Sequence, residues 1–290
     1  MRISLILVSL AVAALAQQTG DLVIERVASG FHFLNAPVWS LDDVLLFSDT
    51  PTDRQLRLAP GKGMAELGTR GGGISAVTFD NKGNTYVAEH RARRITRTDK
   101  KGKVDVIAER FEGKRLNAPN DVVVRKDGNV YFTDPAFGEQ QEGAELGFNG
   151  IFRVSPKGEL TAVARWKNRP NGIALSEDGR SLFVTDSDAQ TVHAFVLDKD
   201  GLASGDRVVA SKIEGAPGGI RADVNGNLYV AGRHVFVYSP KGELIRTIHT
   251  GETASNVAFG DPDFQALYIT TKTSIYRVRL NVKGVISYLP

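Results

Sequence analysis

The 290-residue chain has no cysteine, which removes disulfides, thiolate metal sites and cysteine nucleophiles together. It also lacks any block of like charge. Its 36 Lys and Arg are interspersed with 33 Asp and Glu for a formal net charge of +3, so the basic stripe of a nucleic-acid binder is missing and no nucleic-acid partner is expected. No apolar run reaches the roughly 20 residues of a membrane-spanning helix, and no convincing 3.6-residue apolar period appears beyond the N-terminus. The histidines His32, His193, His234 and His249 show no spacing suggestive of zinc. Gly71-Gly72-Gly73 opens a strand rather than a helix, so a phosphate-binding helix N-terminus is not available there either.

The first residues carry a different signal. Met1-Arg2 is a short positive region, Ile3 to Leu15 is apolar, and Ala14-Leu15-Ala16 has the small-x-small form of a cleavage site. This predicts a signal peptide over residues 1–16, cut before Gln17, with residues 17–290 as one secreted or periplasmic domain that leaves no membrane segment behind. A monomer is expected.

From residue 21 onward one pattern recurs. The stretch Asn120-Asp121-Val122-Val123-Val124, the turn Lys126-Asp127-Gly128-Asn129, and Val130-Tyr131-Phe132-Thr133-Asp134 read as a β-hairpin. Equivalent hairpins begin at Asn35, Ser75, Asn171, Gly218 and Asn256, about 40 to 50 residues apart, each followed by another strand pair. Six such units predict an all-β fold, a six-bladed β-propeller, with Leu22 to Val27 joining the last blade to close the ring and leave no open edge.

In a propeller the innermost strands line the axis, so their first residues converge. Those positions are Asn35, Ser75, Asn120, Asn171, Gly218 and Asn256, and the partner strands end at Asp49, Glu89, Asp134, Asp186, Gly232 and Thr270. Four amides and four nearby carboxylates would form an oxygen-rich cluster suited to a hard divalent cation, which polarises a carbonyl and activates water. The same residues also serve as turn and strand-end caps, where a carboxylate accepts loop N–H groups. His90, beside Glu89, is placed to carry a proton at the same mouth.

These residues resemble the senescence marker protein/gluconolactonase/luciferin-regenerating enzyme family. The resemblance is carried by Ala36-Pro37-Val38-Trp39, by Phe111 through Asp121, by Tyr131-Phe132-Thr133-Asp134-Pro135, by Arg169-Pro170-Asn171-Gly172 and by Thr273 through Leu280. It implies a six-bladed propeller that hydrolyses sugar lactones with one axial divalent cation, usually calcium. The family holds that ion with a Glu in the first blade, two middle-blade Asn and an Asp in the fifth blade, the Asp also being the usual general base. Asn120 and Asn171 match the two Asn. Asn35 stands where the Glu belongs and Gly218 where the Asp belongs, so both anionic ligands are replaced. The resemblance therefore implies a weakened metal site of Asn35, Asn120 and Asn171, and another base, with Asp121, Glu89 and His90 as candidate catalytic residues. The alternative is a metal-free propeller acting on, or only binding, a small organic ligand, as in strictosidine-synthase-like propellers.

Overall fold

The computed structural model describes residues 22–69 and 71–289; the expected leader and its cleavage site lie outside them. Six four-stranded antiparallel sheets are present, with one short two-stranded ribbon, Arg110–Phe111 with Lys114–Arg115. The inner strands of blades 1 to 6 are Leu34–Trp39, Ile74–Phe79, Val122–Val124, Pro170–Leu175, Ile220–Ala222 and Ala254–Gly260. Each packs on the inner strands before and after it, and the sixth packs on the first. The six-bladed propeller expected from the repeat count is therefore what forms.

Closure is made by Ile24–Ser29, which pairs antiparallel with Ser274–Arg279 as the outermost strand of blade 6. The first described strand and the last thus share one sheet, and the ring has no seam at which a blade could peel away. The strand begins two residues later than the sequence suggests, because Leu22 and Val23 precede the paired segment.

The core lies between blades rather than within one. Alternating apolar residues on both faces of every sheet form six clusters, each shared by two neighbouring blades. Trp39 of blade 1, for example, stacks on Tyr268 of blade 6 with ring centroids 5.6 Å apart. Fully burying one such side chain contributes about 1.5–3 kcal/mol. The hairpin turns are fixed by short polar clamps. In blade 2, Asp80 Oδ1 accepts the N–H groups of Lys82 and Asn84 while Gly83, at φ 80°, supplies the left-handed turn residue. Asp223 and Gly226 repeat the device in blade 5.

One end of the axis is closed. The C-terminal stretch crosses it, with the Val285 N–H donating to Ala222 O at 2.9 Å and the Tyr288 hydroxyl donating to Trp39 O. Above this plug, Arg221 Nη1 lies 3.3 Å from Asp121 Oδ2. The other end is open.

Candidate functional site

At the open end lies a cavity of about 510 Å³. Asn35, Ser75, Asn120, Asn171 and Gly218, the entrance residues of blades 1 to 5, line it. Asn256, the sixth, is 3 % exposed and stands behind Asn35. A local irregularity aims these residues. The pairing register slips at the entrance of four inner strands, between Asn35 and Val38, Ile74 and Ala76, Pro170 and Ile173, and Ala254 and Asn256. Such bulges turn a strand and re-aim its side chains; in blade 1 the bulge holds Ala36 at φ 57°.

The amides form two hydrogen-bonded chains whose polarity is fixed at backbone groups. Ser187 Oγ has one proton and donates it to Pro217 O at 2.8 Å, so it accepts from Asn171 Nδ2 at 3.1 Å. That leaves Asn171 Oδ1 to accept from Asn120 Nδ2 at 2.6 Å, and Asn120 Oδ1 to accept from Ser75 Oγ at 2.9 Å. In the second chain Asn256 Oδ1 accepts the Val257 N–H at 2.8 Å, which turns its Nδ2 to Asn35 Oδ1 at 2.9 Å. Asn35 Nδ2 is then left without a partner among the described residues.

The four carboxylates do not join this cluster. Side chains alternate along a strand, and Asn35 stands opposite Ser48 while Asp49 stands opposite Leu34. Asp49 Oδ1 accepts the N–H groups of His32 and Phe33, and Asp186 Oδ1 those of Asp188 and Ala189. Asp134 Oδ2 accepts the Asn117 N–H at 2.8 Å. Glu89, opposite Ile74 rather than Ser75, is bound by Arg94 Nε at 2.6 Å and Thr96 Oγ1 at 3.1 Å. All four hold loops or neighbouring strands behind the mouth. Asp121 is also displaced from the expected place. It is 1 % exposed and accepts the Val122 and Ile173 N–H groups, stapling blade 3 to blade 4 below the cavity. Neither Glu89 nor Asp121 lines the cavity.

His90 does line it. Burial pushes its imidazole below the ordinary 6.5; the Gly73 backbone and Asp53 pull it up and Arg91 pulls it down. It is therefore neutral at neutral pH, with its Nδ1 buried beside Gly73 and without a well-formed hydrogen bond among the described residues. Thr50, Phe33, Phe137 and Lys272 complete the functional surroundings, and sequence reasoning missed all four. Phe33 and Thr50 flank the first blade's inner hairpin by one residue each. Phe137 and Lys272 follow the ends of strands in blades 3 and 6, positions whose direction depends on loop geometry.

The residues present do not fit the cation that the resemblance implies. No carboxylate is among the cavity's lining residues, and no three His, Asp or Glu gather at metal-binding distances among the described residues. The amide oxygens of Asn35, Asn120 and Asn171 each already receive a donor hydrogen. At position 218 a Cβ would lie 2.3 Å from Ser255 O, so backbone fills the space a carboxylate side chain would need. Ligand charge governs the affinity of hard-cation sites, and this donor set is neutral.

Fold and site together define a six-bladed propeller with a small-molecule cavity at its axial mouth. The chain belongs to the SMP-30/gluconolactonase/LRE-like family, whose profile matches residues 14–273. It is 31% identical over 293 residues to a gluconolactonase of Zymomonas mobilis, covering 90% of this chain and 82% of that one. A pentonolactonase of Haloferax volcanii is 29% identical over 251 residues, covering 81% and 80%. Among solved structures, a gluconolactonase from Xanthomonas campestris superposes with a TM-score of 0.84 at 31% identity, covering 92% of each chain.

Proposed function

We propose that the chain is a lactonase that opens a cyclic ester at the axial mouth, exported by the leader over residues 1–16. The similarity to lactonases supports the reaction class. The observation that carries the mechanism is that one cavity is lined both by a neutral histidine, His90, and by Asn35, whose free amide N–H is set by a fixed network.

Water attacks the lactone carbonyl carbon while the His90 imidazole takes its proton. The carbonyl oxygen becomes an oxyanion that accepts from Asn35 Nδ2, a donor already oriented and needing no rearrangement. The bond from the carbonyl carbon to the ring oxygen then breaks. The imidazolium returns the proton to that oxygen, and a hydroxy acid leaves. Asn120 and Asn171, held to each other and to Ser75 and Ser187, form the wall the substrate packs on, and no step passes through a cation.

Acid release from a lactone panel tests this, run on wild type, His90→Gln and Asn35→Ala, with and without a chelator. Loss of about 10²-fold in kcat in either variant is expected, and wild-type rates in His90→Gln would refute the assignment. A second reading, a ligand-binding propeller without turnover, is favoured by how completely the Asn120–Asn171 chain satisfies itself. Saturable lactone binding with no acid release would select it.

A further inference from the structure

We infer that the cavity takes a lactone with an apolar body, alkyl- or aryl-substituted, in preference to a polyhydroxylated sugar lactone. The inference rests on the lactonase reading and names its substrate class.

A sugar lactone carries hydroxyls around its ring, and each must find a partner when buried. The wall offers few. The polar atoms of Ser75, Asn120 and Asn171 are committed to one another and to Ser187, and no carboxylate among the lining residues stands ready to accept hydroxyl protons. Between the amides the wall is apolar, built by Phe33, Phe137, Ala118, Ala216 and Ala254. Phe33 is 43% exposed, and among the described Phe, Tyr and Trp residues it is the one left so open. Apolar surface held in a cavity mouth and uncovered in the free protein marks where a ligand's apolar body sits.

The polar groups outside the Ser75–Asn120–Asn171 chain come from blades 6, 1 and 2: Thr253 and the Lys272 ammonium, Asn35 and Thr50, and His90. Of the lining side chains, Thr50 Oγ1 and His90 Nδ1 are buried without a well-formed hydrogen bond among the described residues. They stand on adjacent loops of blades 1 and 2, tied together by Asp53, which accepts the Gly73 N–H at 3.1 Å and lies 3.4 Å from Arg91. A polar side supplied by blades 6, 1 and 2, with Phe33, Phe137, Ala118 and Ala216 around the rest of the cavity, matches a molecule with its ester at one end and a hydrocarbon remainder.

The test compares kcat/KM for δ-decalactone, dihydrocoumarin and δ-gluconolactone, with calorimetric titration of an alkyl-substituted six-membered lactam that binds without being opened. The apolar lactones should lead by at least about tenfold, the scale a hydrophobic pocket sets. Phe33→Ala should narrow that ratio and Phe33→Leu should keep it. Equal or better turnover of gluconolactone would overturn the substrate class while leaving the lactonase intact. Lactam binding with no turnover of any lactone would keep the class and remove the lactonase. Neither binding nor turnover of the apolar probes would overturn the inference.

Discussion

Replacing Asp134 by Asn should stabilise the protein by an amount that grows as pH rises from 3.8 to about 7 and is full above that. Asp134 is 0 % exposed; burial raises its carboxyl from the ordinary 3.8 to about 7, against the Asn117 N–H, Arg93 and the Ala118 backbone, which favour the ionised form. Because the folded state holds this proton to higher pH than the unfolded state does, the stability it contributes is fully present below 3.8. That stability erodes between 3.8 and about 7 and is gone above. At 1.36 kcal/mol per pH unit, the interval corresponds to roughly 4 kcal/mol. Asn is isosteric, does not titrate, and keeps an oxygen for the Asn117 N–H. Its uncharged amide loses the attraction of Arg93, so the gain at pH 8 should be about 1–4 kcal/mol, with little change at pH 4.5. For a domain of this size that is several degrees, on a scale of about 2–4 °C per kcal/mol. Urea melts of both proteins at the two pH values measure it. A destabilised variant at pH 8, or equal effects at both, would show that the buried carboxylate is compensated more fully than its surroundings indicate.

Activity should have a single acid limb falling below pH 6.5, because His90 must be neutral to accept a proton and burial depresses its protonation; a pH–kcat/KM profile with its limb above 7 would remove His90 as the base. Asn171→Ala leaves Ser187 Oγ without its donor and Asn120 Nδ2 without Asn171 Oδ1, and should cost about tenfold or more in kcat/KM, read by acid release. Gly218→Ala puts a Cβ 2.3 Å from Ser255 O and should destabilise by about 1–3 kcal/mol in thermal melts. Calcium in millimolar excess should leave the melting temperature unchanged, and a saturable rise that Asn171→Ala abolishes would restore the cation site.

The ring itself could be read from the chain. Hairpins spaced at blade length, each opening with a small or amide residue, fix the number of blades and place Asn35, Ser75, Asn120, Asn171 and Gly218 at one mouth. The carboxylates could not be read the same way. A strand ending in Thr-Asp puts the Asp beside the entrance residue in sequence logic, but whether it faces the axis depends on register. Bulges at four of the six entrances change that register. A bulge inserts one residue without altering the hydrophobic pattern that identifies the strand. Asp121 escaped for another reason. Next to Asn120 it inherits the neighbour's apparent location, yet alternation sends it below the mouth to Ile173 and Arg221.

The two departures from the family pattern make more sense as a set than as separate losses. With Asn at 35, its Oδ1 can accept from Asn256 Nδ2, whereas a Glu there would reach further and put a carboxylate among lining residues that include none. With Gly at 218, the backbone of Ser255 closes in, and its carbonyl accepts the Gly219 N–H at 3.0 Å. Gly219 is just as tightly held, since a Cβ there would meet Asn256 Oδ1 at 1.6 Å. The Ser255 backbone of blade 6 thus occupies the room a side chain at 218 would need, and the next residue, Asn256, orients the amide at 35. A side chain at 218 would meet Ser255 O at 2.3 Å, so placing a carboxylate there requires moving the Ser255–Asn256 segment with it.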